Sequence, residues 1–208
     1  MDSVVKLSHP VIKEKLAVLR NKETSRASFR ITMKELGKLI SYEVLRDFVT
    51  DQKSIETPLA SASGDFINEL PIVVSVLRAG NILMEGVLEL IPNARCGHLG
   101  IYRDKFINNT VEYYFRLPED TENKPVFVLD PMIATGKTAA ASISRLKQCG
   151  VGKIYFICML ISEEAAAYLA KTYPEVQIYC AGVESGLDKN GLILPGIGDV
   201  GGRLYGPN

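Results

Sequence analysis

Three apolar runs of this chain end in a charged residue, and those three charges are the first candidates for chemistry: Arg78 follows IVVSVL, Arg103 follows CGHLGIY, and Asp130 follows VFVL. A single charge at the end of a strand is usually only solvated. Two arginines and a carboxylate at one edge of one sheet point instead to an anionic ligand that also carries hydroxyl groups, because arginine pairs with phosphate in fork geometry and aspartate accepts from hydroxyls. The densest signal is VFVLDPMIATGKT, residues 126–138, followed by the helical pattern AAASISRLKQCG. There a strand runs into a tight turn and a helix start. The small residues Ala134, Thr135 and Gly136 let backbone N–H groups approach a phosphate, and the first helical turn adds its dipole and unpaired donors. Thr138 contributes a hydroxyl. GKT also ends a Walker A loop, but that loop needs glycine five positions before Gly136, where Pro131 stands. An NTPase P-loop is therefore excluded.

Charges at strand ends matter because an open parallel sheet binds ligands outside the carboxyl ends of its strands. Five short apolar runs, at 72–77, 96–102, 126–129, 154–161 and 176–181, lack polar alternation and suit parallel strands buried on both faces. Helical patterns at 82–91, 138–149 and 163–173 separate most of them, so the expected fold is α/β with a doubly wound, mainly parallel five-stranded sheet. Between the second and third runs the β-forming segment DKFINNTVEYYF, with its Asn108-Asn109 turn, predicts a protruding hairpin over 104–115, a candidate lid or dimer arm. The first fifty residues read as two helices. One starts at His9-Pro10 with Val11, Ile12, Leu16 and Leu19 on its apolar face; the other follows Thr24 or Ser25 with the stripe Phe29, Met33, Leu36, Ile40 and Val44. Residues 51–70 read as a peripheral loop or hairpin without chemistry. From Gly182 onward the chain is glycine-rich with no convincing helix, a segment expected to be flexible and to close over a ligand.

Composition narrows the alternatives. The chain has 208 residues, 24 basic and 24 acidic, and a formal net charge of zero, which disfavours a surface built to neutralise nucleic-acid backbones or anionic lipid. Cys96, Cys149, Cys158 and Cys180 include no C-x-x-C pair and are accompanied by two histidines, so neither a zinc site nor a disulfide framework is expected. Reduced thiols in a cytoplasmic protein are the expected reading. No signal peptide or membrane span is expected, since charges interrupt the first residues.

An acidic residue after a strand, then A-T-G-x-[ST] at a helix start, resembles the phosphoribosyl diphosphate loop of type I phosphoribosyltransferases. The variant DPMIATG, with proline in place of a second acid, is similar to the uracil phosphoribosyltransferase family. The likeness runs along the chain in the family's order: SHPVIKEKL at the start, VLRAG around Arg78, GIYRD around Arg103, and GLILPGIGDVGGRLYG at the end. It implies a single phosphoribosyltransferase domain over 1–208, with N-terminal helices over 1–50, an α/β core over 71–181 and a uracil-binding hood over 182–208. The implied reaction transfers phosphoribosyl from 5-phosphoribosyl 1-diphosphate (PRPP) to uracil, giving uridine monophosphate and diphosphate. The PRPP contacts it implies are Arg78, Arg103, Asp130, Pro131, Met132, Ile133, Ala134, Thr135, Gly136, Lys137, Thr138 and Asp199. Asp130, Arg103 and Asp199 would carry the chemistry, and Ile193, Gly198, Asp199 and Val200 would meet uracil.

The resemblance further implies magnesium (Mg2+), held mainly through substrate oxygens and water, and a homodimer or higher homo-oligomer. It leaves activation by GTP open. Asp199 has a second reading as a turn-forming aspartate beside glycines. The chain departs from the commonest family pattern at Lys137, Asn81, Ile82, Val200 and Gly202. Two rival functions remain at this stage: an RNA-binding pyrimidine regulator of the same fold, and a phosphoribosyltransferase for another base.

Overall fold

The computed structural model describes residues 3–104 and 109–206, and the side chains of residues 103, 104 and 109 lie outside that description. The chain opens with a short strand, β1 (Val4–Lys6), and then α1 (Pro10–Arg20). His9 caps α1 by accepting from the Val11 N–H through Nδ1 at 3.2 Å, and proline takes the first helical position, where a missing N–H costs nothing. Ile12, Leu16 and Leu19 are buried as expected, whereas Val11 is 39% exposed and belongs to the outer face. Helix α2 (Arg26–Val44) starts at the Ser25 cap and buries the whole stripe of Phe29, Met33, Leu36, Ile40 and Val44. After a 3₁₀ turn at Leu45–Asp47, strands β2 (Thr50–Glu56) and β3 (Ser61–Ile67) form a separate antiparallel hairpin in the segment read as peripheral.

The α/β core follows. Its elements are β4 (Ile72–Val76), α3 (Gly80–Leu90), β5 (Cys96–Asp104), β6 (Asn109–Arg116), β7 (Val126–Leu129), β8 (Met132–Ile133), α4 (Lys137–Gln148), β9 (Ile154–Ser162), α5 (Glu163–Thr172) and β10 (Gln177–Glu184). The terminal segment holds β11 (Gly186–Leu187), β12 (Ile193–Leu194) and α6 (Val200–Tyr205). The main sheet runs β1-β10-β9-β7-β4-β5-β6, with β8 pairing β9. The five strands expected from the apolar runs are its contiguous centre. Three further strands make it eight: β1 and β6 at the edges, and the two-residue β8 inside the phosphate-type loop. β1 pairs in parallel with β10 inside a region read as purely helical, because three residues are too few to show a period. Among the described residues of this sheet only β6 runs antiparallel, and it pairs with β5. Residues 105–108, including Asn108 of the anticipated Asn-Asn turn, lie outside the described residues.

Alternate side chains of each central strand enter two separate cores. Val73, Phe127, Leu129, Ile157 and Met159 pack beneath α1, α2, α3 and α6, while Ile72, Val74, Val126, Val128 and Phe156 pack beneath α4 and α5. Burial on both faces explains the unbroken apolar runs. Strand β4 is the point from which the chain winds outward in two directions, to β5 on one side and, after β6, to β7 on the other. The crevice beyond the carboxyl ends of β4 and β7 is therefore the topological switch point, where ligands of such sheets bind.

Candidate active site

A cavity of about 170 Å³ opens at that switch point. From the sheet it is lined by Ala79, after β4, and by Asp130, Pro131, Met132 and Ala134, after β7. From the terminal segment come Gly191, Leu192, Ile193, Gly198, Asp199, Val200 and Gly201. Residues far apart in sequence thus face one another across a single recess. Val200 and Ile193 line it and are almost wholly buried, both packed into the core beneath the N-terminal helices.

Asp130 is the carboxylate at the base of this recess. Burial pushes its pKa up from the usual carboxylate range to about 7, and the Met132 N–H, which favours the charged form, offsets only part of that. The residues after it fold into the strand-and-turn expected of a phosphate loop. Ile133 is 2% exposed and belongs to the core beneath α4 and α5, so its side chain faces away from the recess and only its backbone can serve a ligand. Gly136 has φ of +75°, a left-handed conformation that a side chain disfavours, and a Cβ there would meet the Tyr168 ring at 3.0 Å. Helix α4 begins at Lys137, whose side chain is exposed, while Thr135 and Thr138 are half-buried in the loop and first turn. Ser162, at the end of β9, donates to the Ala134 carbonyl at 2.5 Å and accepts from the Ala165 N–H at 2.9 Å. It fixes the loop from below. The only trace of it in the sequence is the serine-Glu-Glu start of a helix.

Arg78 is exposed at the turn between β4 and α3, and its guanidinium lies 5.4 Å from the centre of the Tyr205 ring. The Tyr205 hydroxyl donates to the Arg78 carbonyl at 3.0 Å, so the far end of α6 touches the arginine turn. Nothing in the pattern of the terminal segment singled out Tyr205. Arg103 lies in β5, its backbone opposite Thr110 of β6. Its side chain is outside the described residues.

The terminal segment is more ordered than its glycine content suggests. Asp199 caps α6, accepting from the Gly201 and Gly202 N–H groups at 3.1 and 3.2 Å, so a helix exists where none was expected. A Cβ at Gly202 would lie 2.8 Å from Asp199 Oδ2, so the cap leaves no room for a side chain there. Three arginines anchor the segment. Arg20 donates to the Gly196 carbonyl and pairs with Glu184; Arg30 donates twice to the Leu204 carbonyl. Arg203 donates to the carbonyls of Leu19, Ile197 and Asn21 and stacks on the Phe29 ring at 4.1 Å. The expected flexible hood is thus a docked one.

A recess that joins a half-buried aspartate and a phosphate-type loop to an exposed backbone of glycines matches the family suggested by the motifs, and comparison with known proteins agrees. The family profile described as uracil phosphoribosyltransferase matches residues 5–207. A uracil phosphoribosyltransferase of Rhodococcus jostii is 45% identical over 207 residues, 99% of both chains, and one of Brucella abortus is 45% identical over 204 residues, 98% of both. A solved structure of an Aquifex aeolicus protein superposes with a TM-score of 0.92 at 37% identity, covering 98% of each chain. A hypoxanthine-guanine phosphoribosyltransferase of Bacillus anthracis, 13% identical with a TM-score of 0.51 over 76% of this chain and 80% of its own, shares the fold. On this match of profile, relatives and fold, the chain belongs to the uracil phosphoribosyltransferase family.

Proposed function

We propose that the recess at the switch point is where this member of the uracil phosphoribosyltransferase family joins uracil to the phosphoribosyl group of PRPP. The observation that carries the assignment is the meeting of Asp130 and Ala134 with Ile193, Gly198 and Val200 around one cavity. Breaking the bond to diphosphate leaves positive charge on the ribose and builds negative charge on the leaving group, so catalysis rests on placement and electrostatic stabilisation. Arg78 and Arg103 hold the diphosphate. Backbone donors over 134–138, with the hydroxyls of Thr135 and Thr138, hold the 5-phosphate, and Lys137 adds a cation at the rim. Asp130 accepts from the ribose hydroxyls, and its negative charge favours the developing cation. With its pKa raised to about 7, the side chain exchanges its proton near neutral pH, and the ionised form is the one that serves this role.

Among the described residues no three His, Cys, Asp or Glu side chains gather as a metal cage, and Pro131 follows Asp130. That donor set fits magnesium held chiefly by substrate oxygens and water, with Asp130 the nearest protein carboxylate. When bound, such an ion would supply positive charge that stabilises the leaving diphosphate.

Uracil lies against Ile193 and Val200, read by the backbone of Gly198 and its neighbours. Asp199 uses two of its acceptor positions to cap α6 and retains others for the donor. The same proposal extends to the setting. Four free cysteines suit a reducing compartment such as the cytoplasm, and the exposed Leu59 and Phe66 of the β2–β3 hairpin suit a homo-oligomer. The test is a panel of uracil, cytosine, hypoxanthine and guanine with PRPP and magnesium. Uridine monophosphate should form from uracil. Preference for a purine, or no nucleotide from any base, refutes the assignment, and salt-sensitive retention of RNA on filters without nucleotide formation would favour the regulator.

A further inference from the structure

Ser75 sits in the centre of β4 with no solvent exposure, between Val74 and Val76. A buried hydroxyl is tolerated only when hydrogen-bonded, and this one has two partners on two other elements. Its Oγ lies 2.6 Å from Oδ1 of Asn81, in the first turn of α3, and 2.8 Å from Nδ1 of His98, its register partner on β5. A serine hydroxyl has one proton, and an amide oxygen only accepts, so that proton is committed to Asn81. The Nδ1 of His98 must then donate to Ser75. The result is a directed chain from His98 through Ser75 to Asn81, joining β5, β4 and α3.

Asn81 ends this chain at the arginine turn. Its backbone N–H donates to the Arg78 carbonyl at 3.3 Å, the same carbonyl that accepts from Tyr205. The turn has no slack on its other side: a Cβ at Gly80 would lie 2.3 Å from the Leu129 carbonyl, one residue before Asp130. An apolar trio would fill this space without the cost of burying polar groups.

We propose that Asn81, oriented by Ser75 and His98, is a positioning residue that sets the Arg78 turn for the diphosphate of PRPP. The proposal rests on the assignment of Arg78 to the diphosphate. A device that holds an arginine before its ligand arrives lowers the ordering cost of binding and leaves the other substrate untouched. Losing one such hydrogen bond corresponds to about a tenfold loss of affinity.

The test uses Asn81→Ala, Ser75→Ala and Asn81→Asp in the full chain. Each is measured for KM of PRPP, KM of uracil, kcat and thermal midpoint, and for binding of inorganic diphosphate with magnesium by calorimetry. Asn81→Ala and Ser75→Ala should each raise the PRPP KM and weaken diphosphate binding about tenfold, with uracil KM and kcat within about twofold. Asn81→Asp keeps an acceptor for Ser75 and should remain within about threefold of wild type. The double alanine variant should be no worse than either single one, since both break the same chain. A merely structural role would lower the thermal midpoint and leave diphosphate binding unchanged, and that result overturns the proposal. So does an Asn81→Asp variant as impaired as Asn81→Ala. If the wild type binds diphosphate but forms no uridine monophosphate, the reaction assigned to the recess has failed while the tether is still tested by binding.

Discussion

Replacing Asp130 by asparagine should make the protein more stable and less active at once. Asparagine has nearly the same shape and can keep the Met132 N–H as a donor to its side-chain oxygen, so the change removes charge alone. Burial raises the Asp130 pKa from 3.8 to about 7. An acid whose folded-state pKa exceeds its unfolded value binds more protons when folded, so its contribution to stability is full at low pH and is lost as pH rises through the folded pKa. In the wild type this loss accumulates between about pH 4 and pH 7. At about 1.36 kcal/mol per pK unit, an upper bound of roughly 4 kcal/mol separates the two limits. The variant has no such slope. It should match the wild type near pH 4 and exceed it by about 1 to 4 kcal/mol at pH 8, read from urea unfolding at a series of pH values.

Activity should move the other way, falling on the order of a hundredfold, as expected when a group that stabilises transition-state charge is lost. The wild-type kcat/KM for PRPP should rise with pH through about 7 in a limb that the variant lacks, because the free enzyme must ionise Asp130. Equal stability gains at pH 5 and pH 8 would show that desolvation of the carboxylate is not the cause. Turnover within a few-fold of wild type would remove Asp130 from the mechanism.

Arg103→Ala should lower kcat about a hundredfold while changing uracil KM little, since the arginine is assigned to charge that grows on diphosphate; steady-state kinetics within a few-fold of wild type would refute that role. Cytosine should be refused by about 10⁴ in kcat/KM relative to uracil, because a backbone N–H aimed at a carbonyl would meet an amino donor. In Val200→Ala the ratio of 5-fluorouracil to uracil efficiency should rise, as Val200 is 6% exposed on the wall of the recess, and an unchanged ratio would place the base elsewhere. Arg203→Met keeps the contact with Phe29 but loses donors to the carbonyls of Leu19, Ile197 and Asn21, so chemical denaturation should show a loss of about 2 to 3 kcal/mol, together with a raised uracil KM. A stable variant with normal uracil KM would mean that the terminal segment does not depend on this anchor.

Local pattern alone determined much of this protein. Unbroken apolar runs marked the five central strands, since burial on both faces removes polar alternation, and spacings of three and four marked the buried stripe of α2. The loop after VFVL was legible because a strand, small residues and a helix start are contiguous in sequence. What depended on distant partners was not legible. The strand β1 exists because β10 lies beside it, and α6 forms because Asp199 caps it while arginines of α1 and α2 hold its surroundings. The burial of Asp130, the docking of Tyr205 against the Arg78 turn and the chain from His98 to Asn81 were likewise settled only by folding. Each is a meeting of residues far apart along the chain, and the chemistry of such a meeting lies in the direction of a lone pair or the exclusion of water. Residue type and spacing carry neither, because both arise from the packing of elements against one another.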